Sequence, residues 1–121
     1  MKTVLLVEDN RDVLVSTAYM LQDAGFEVLA AANSDQAQQV ASVRADIGVV
    51  ITDLNLSEGM NGIELGVAMR DDGLKCPIIV MSGNAEPPEQ GWLSWMTYLP
   101  KPFDRQALLA AISENRQALV S

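Results

Sequence analysis

The chain has 121 residues, enough for one domain with its own core, and 49% of them are apolar, an ordinary globular share. Its formal net charge of −8 argues against direct contact with nucleic acid or an anionic membrane surface, which need cationic patches, and no apolar run approaches a membrane span. The single Cys76 lacks an internal disulfide partner, which fits a cytoplasmic protein, and the absence of His excludes any mechanism that needs a histidine of this chain.

The hydrophobic period alternates along the chain between buried strands and amphipathic helices. Thr3–Val7 is a continuous apolar strand. Arg11–Asp23 follows as a helix with Val13, Leu14, Thr17, Ala18 and Leu21 on one face, and Ala24-Gly25 ends it. Glu27–Ala31 is a second strand, and Asn33 or Ser34 can cap a helix through Val43, with Ala37, Val40 and Ala41 inward. Ile47–Thr52 is apolar throughout, as suits a strand covered on both faces. Gly62–Arg70 reads as a helix carrying Ile63, Val67 and Met69, and Pro77–Met81 as a fourth strand, with Cys76 a small hydrophobe at its start.

The stretch Gly83–Met96 breaks the alternation. Pro87-Pro88 and Gly91 leave room for at most one or two helical turns, and Trp92, Trp95 and Met96 are expected to cap the sheet edge or to form a partner-binding patch. Thr97–Leu99 is a short fifth strand, and Asp104 caps a last helix with Leu108, Leu109, Ile112 and Leu119. The repeated strand–helix pattern predicts one α/β domain over residues 1–121 with a parallel sheet and helices on both faces. Five strands suit the flavodoxin-like order 2-1-3-4-5, whose reversal lies between strands one and three.

Chemistry-bearing residues fall at the carboxyl ends of these strands. Glu8-Asp9 follows the first, Asp53 the third, Ser82 the fourth and Lys101 the fifth. Alone, the acidic pair and Asp53 would be read as helix caps or turn residues, Ser82 as turn chemistry and Lys101 as a solvated lysine. In one parallel sheet they share one edge. Three carboxylates together call for a hard divalent cation such as Mg²⁺, with Mn²⁺ as a substitute. The metal leaves room for a phosphoryl oxygen, a carboxylate can attack phosphorus to form an acyl phosphate, and the lysine and metal would neutralise its charge.

These motifs in this order closely resemble the receiver domain of two-component response regulators. Val4-Leu5-Leu6-Val7-Glu8-Asp9-Asn10 resembles the acidic pair after strand one, Ile51-Thr52-Asp53-Leu54 the phosphoacceptor strand, Met81-Ser82-Gly83 the strand-four hydroxyl, and Tyr98-Leu99-Pro100-Lys101-Pro102-Phe103 the aromatic switch and lysine. The resemblance implies that Asp53 accepts a phosphoryl group from the phosphohistidine of a sensor histidine kinase or histidine phosphotransfer protein. It implies that Glu8, Asp9, Asp53 and the Asn55 backbone carbonyl hold the metal and that Lys101 pairs with the phosphoaspartate. It further implies that Ser82 and Tyr98 switch on phosphorylation, that the Lys101–Pro102 bond is cis, and that the domain controls an output partner rather than turning over a substrate as an enzyme.

Departures from the family pattern are Glu8 in place of the commoner Asp, Ser57 where proline is usual, a lengthened Ser57–Gly62 loop, and a Ser82-to-Lys101 interval shorter than usual. The last predicts a fourth helix that is short or absent, and output through another surface. Rival readings are a pseudo-receiver that binds partners without phosphorylation, an aspartate-nucleophile phosphatase, and an FMN carrier. Asn55 stands where such a phosphatase has its acid, and the acids after the first strand would repel an anionic cofactor.

Overall fold

The computed structural model describes residues 2–120, with side chains as far as residue 114. Five strands, β1 (Thr3–Val7), β2 (Glu27–Ala31), β3 (Ile47–Asp53), β4 (Ile78–Ser82) and β5 (Met96–Pro100), alternate with helices α1 (Arg11–Asp23), α2 (Ser34–Val43), α3 (Gly62–Asp71) and α4 (Arg105–Val120). All strand pairs are parallel and the order is β2-β1-β3-β4-β5, so the reversal lies between β1 and β3 as the pattern predicts. Crossovers between parallel strands need helices on the sheet faces, and two apolar clusters result. Leu5, Val7, Val50, Ile78 and Val80 meet Ala37, Ile63, Leu65 and Met69 of α2 and α3 on one face. Val4, Leu6, Ile51, Ile79 and Met81 meet Leu21, Leu108, Ala111 and Ile112 of α1 and α4 on the other. Leu119, expected to pack with α4, has its side chain outside the described residues.

One irregularity sets which side chains face which layer. Along β1, Thr3 pairs with Ile47 but Val4 pairs with Val49, so Gly48 is an extra residue in β3. Such a bulge shifts the period of two by one. Ile47 and Val50 therefore share the α2–α3 side, while Val49 and Ile51 face α1 and α4.

Element ends depart from expectation by a residue or two. Pro77 has no N–H for the ladder, so β4 begins at Ile78, although the Pro77 carbonyl still accepts from Val50 N–H at 2.9 Å. Cys76 stands half-buried just before that strand, and burial pushes its thiol up to about 11, so it remains protonated at neutral pH. Met96 belongs to β5, where it is buried, rather than to the irregular stretch.

Among the described residues no helix joins β4 to β5, and residues 83–95 run as turns and bends. The side chains the stretch brings replace a helix as cover. Trp92 and Trp95 pack against the α2–α3 cluster, the Arg70 guanidinium lies 4.3 Å from the centroid of a Trp95 ring, and Trp92 meets Tyr98 edge-on at 5.6 Å. No described helix is long and apolar enough to cross a membrane.

Candidate functional site

The register brings the strand ends together. Val7 pairs with Thr52, which sets Glu8 beside Asp53; Asp53 pairs with Met81, and Ser82 with Pro100, which sets Lys101 just beyond. The Lys101 N–H donates to the Ser82 carbonyl at 2.7 Å, fixing the start of the loop after β5, and the Lys101–Pro102 peptide is cis.

Neither acid of the Glu8-Asp9 pair caps α1. Asn10 does so, its side chain accepting from the N–H groups of Asp12 at 3.0 Å and Val13 at 3.2 Å. The acids are thereby left to the crevice. Glu8 is 1% exposed and Asp53 7%, while Asp9 is exposed. One carboxylate oxygen from each of the three lies within 4.8 Å of the others. Lys101 bridges two of them, its Nζ 2.8 Å from Glu8 Oε1 and 3.0 Å from Asp53 Oδ1. Glu8 Oε2 accepts from Asn10 N–H at 3.1 Å.

Burial sets the direction of these charges. Desolvation pushes the Glu8 carboxyl above its ordinary value, against the opposing pull of Lys101 and the Asn10 N–H, and the Asp53 charge adds to the rise. Burial works against the Lys101 ammonium, but the Glu8 and Asp53 carboxylates outweigh it and raise its value. Asp9 is lowered, chiefly by the Ser57 side chain, with a smaller share from the Ser57 N–H, which donates to Asp9 Oδ2 at 2.9 Å.

The lengthened loop after β3 is therefore tied to the acidic pair at Ser57. A second tie lies at its far end. Asn33 caps α2, accepting from Gln36 N–H at 2.9 Å, which frees the buried Ser34 hydroxyl to accept from Met60 N–H at 3.0 Å. Gly59, at φ +75°, passes so close to Ser34 Oγ that a side chain there would collide. Asn61 then caps α3 in a reciprocal pair with Glu64. Ser34→Ala would leave the Met60 N–H without its acceptor and is expected to cost about 1 kcal/mol, measured by urea unfolding. Sequence reasoning offered Ser34 only as an alternative cap; the signal that Asn33 could take that role alone was present.

Ser82 is buried, and its Oγ accepts from Asn84 N–H at 3.4 Å. Asn55 is exposed at the start of the loop after β3. The site therefore gathers Glu8, Asp9, Asp53, Ser82 and Lys101 at one sheet edge, as their positions at strand ends require.

The family model of the response regulator receiver domain matches residues 4–113. The chain belongs to that family. The transcriptional regulatory protein FixJ of Azorhizobium caulinodans is 33% identical over 116 residues, covering 90% of this chain and 52% of that protein. FixJ of Rhizobium meliloti is 30% identical, covering 98% of this chain and 59% of its own. The chain thus spans little more than half the length of these relatives. Two solved structures match it over nearly their full lengths. The receiver domain of the hybrid histidine kinase CckA does so at 30% identity and TM-score 0.78, with 93% of this chain and 97% of that one covered. The chemotaxis protein CheY4 of Vibrio cholerae does so at 29% identity and TM-score 0.85, with 94% and 98% covered.

In this receiver the residue at the aromatic position, Tyr98, is half-buried and turned toward the β4–β5 connection. Its hydroxyl donates to the Asn84 carbonyl at 2.6 Å, and its ring stands at 89° to Trp92. The hydroxyl is not left to water. Asn84 links the two residues expected to switch, since it donates to Ser82 and accepts from Tyr98. Trp92 enters this contact because the stretch after Ser82 is irregular, and its partner could not have been named from spacing.

Proposed function

We propose that this receiver, as one domain over residues 1–121, takes a phosphoryl group onto Asp53 from the phosphohistidine of a sensor histidine kinase or phosphotransfer protein, in the cytoplasm. The observation that carries this reading is the Lys101 ammonium seated 3.0 Å from Asp53 Oδ1 inside a crevice of carboxylates. A carboxylate oxygen of Asp53 attacks phosphorus, the P–N bond breaks, and its electron pair returns to the donor's imidazole. Carboxylate oxygens from Glu8, Asp9 and Asp53 suit a hard divalent cation, Mg²⁺ or in its place Mn²⁺, and the family resemblance adds the Asn55 backbone carbonyl. When bound, that ion would neutralise charge on the transferring group. Lys101 offers a second cation to the same oxygens, and the Ser82 hydroxyl a donor.

The product is a switch rather than a turnover enzyme, with hydrolysis of the acyl phosphate as its reset. Ser82 and Tyr98 read it out. If Ser82 turns its hydroxyl to a phosphoryl oxygen, the Asn84 N–H loses its acceptor and the contact between Asn84 and Tyr98 weakens. The change reaches an output protein through a surface other than the usual fourth-helix face. The charge of −8 disfavours direct nucleic-acid contact by this domain.

Incubation with acetyl phosphate and Mg²⁺ tests the reading. Intact mass is expected to rise by one phosphoryl group, with the fluorescence of Trp92 and Trp95 changing in step, and neither is expected in Asp53→Asn. A chain that gains no Asp53-dependent mass under these conditions is a constitutive binding module instead.

A further inference from the structure

A second concave feature lies at the end of the sheet opposite the acidic site. In a parallel sheet each connecting helix runs back against the strand direction, so helix ends gather where strands begin. The ends of α2 and α3 meet there around a cleft of about 700 Å³, a size typical of binding clefts. Its buried and half-buried lining is apolar, with Ile47, Met69, Leu74 and Cys76, and Ala41 beside them. Val43, between the lining residues Ser42 and Arg44, is 79% exposed, so apolar surface runs on past the cleft at the end of α2.

The rim of the cleft is polar, and its balance is negative. Arg44 caps the end of α2, but its guanidinium is matched twice over, by Glu27 at 2.6 Å and Asp46 at 2.8 Å. Asp72 caps the end of α3 and is exposed, and Lys75 on the same rim offsets its charge. The ends of α2 and α3 then add the negative poles of two helices, each worth about half a charge. No basic side chain compensates in the last turn of α2, and Arg70 in that of α3 is engaged with Trp95.

We propose that this cleft docks a basic amphipathic segment of a partner protein, its apolar side chains on Ile47, Met69 and Leu74 and its cationic groups against the ends of α2 and α3. Lys and Arg suit such a site because an apolar stem carries a charged head. The −8 charge of the chain draws a cationic partner from a distance. Exposed apolar surface at Val43 calls for an occupant longer than a small solute. The cleft uses none of the residues at the acidic edge, so docking here does not depend on Asp53.

The probe is a synthetic peptide of about 14 residues with Leu at i, i+3, i+4 and i+7 spacing and Lys elsewhere. It is titrated into the isotope-labelled full chain and the amide signals are followed by NMR. Shifts are expected at residues 41–45 and 72–76, with a Kd of about 100 μM or tighter. Asp72→Lys reverses a rim charge while placing a residue that suits a helix end, and should weaken binding about tenfold. Ala45→Trp, at another lining residue, fills the cleft without a change of charge and should weaken it as much. Glu86→Lys, in the connection after β4, makes the same change in net charge and should stay within about twofold. Equal losses in Asp72→Lys and Glu86→Lys would reduce the binding to general attraction by an acidic protein and overturn the proposal. Absent binding, or shifts confined to other surfaces, would overturn it as well. Hexylamine moving the same amides as tightly as the peptide would make the cleft a small-molecule site. Shifts at these residues on concentrating the chain alone would make a second copy the occupant. Either result sinks the assignment to a partner's basic segment.

Discussion

Lys101→Met is expected to lower the unfolding free energy by about 3 kcal/mol at pH 7, the low end for a broken buried pair because the lysine retains some solvent contact. The Lys101 side chain is 22% exposed and that of Glu8 1%. The substitution keeps the aliphatic stem and removes the only cation that either Glu8 or Asp53 pairs with among the described residues. Two carboxylates then face each other in a crevice. The deficit has a definite pH dependence. Burial already holds the Glu8 carboxyl above its ordinary value, and loss of the lysine removes an influence that lowers it. An acid raised in the folded state binds its proton more tightly there than in the unfolded chain, so stability is regained as pH falls through the folded value toward the ordinary ~4.3. The gap between variant and unaltered protein should therefore narrow from pH 7 to pH 5, and adding Glu8→Gln should close most of it at pH 7. Urea titrations at the two pH values give both numbers. A variant as stable as the unaltered protein at pH 7 would show that Lys101 is only a solvated lysine.

What the sequence makes legible, and what it hides, divides along the range of the contacts. Apolar runs such as Leu5-Leu6-Val7 and Ile78-Ile79-Val80-Met81 announce strands covered on both faces, because the local pattern is itself the cause. The site edge follows from topology, since a parallel sheet forces the residues after each strand to one end. The missing helix after β4 is readable because Pro87, Pro88 and Gly91 oppose it locally. Its replacement is not readable, because Trp92 against Tyr98 and Arg70 against Trp95 are contacts of shape between distant elements. The parity shift at Gly48 is hidden for the same reason: nothing in Ile47-Gly48-Val49 shows which neighbour strand skips a residue. The pairing of Lys101 with Glu8, 93 residues apart, is hidden twice over, because the acid's place in the motif suggests the metal.

Gly62→Ala should damage the protein at its centre, although Ala is the better helix former by about 0.5–1 kcal/mol. Gly62 is the first residue of α3 and its φ is not positive, so the backbone itself would accept Ala. The obstacle is packing. Gly62 N–H donates to the Leu54 carbonyl at 2.9 Å, which draws the helix start against β3. A β-carbon there would run into the Asp53 carbonyl oxygen and lie 3.0 Å from the Asp53 carbonyl carbon and from Leu54 Cα. These are backbone atoms and cannot swing aside. Either α3 backs away or the Asp53 peptide moves, and overpacking of this kind costs about 1–3 kcal/mol, more than the helix gains. Because the displaced peptide is that of the proposed phosphoacceptor, the rate of phosphorylation by acetyl phosphate should fall by about tenfold or more, as misplacement of a reacting group does. Gly66→Ala in the same helix is the control. Its β-carbon would meet Ile78 Cγ2 and Met96 Cε at 3.2 Å, the ends of side chains that can rotate. It should cost under about 1 kcal/mol and leave the rate unchanged. If the two variants matched in stability and in rate, Gly62 would be an ordinary helix-start residue with no part in holding Asp53.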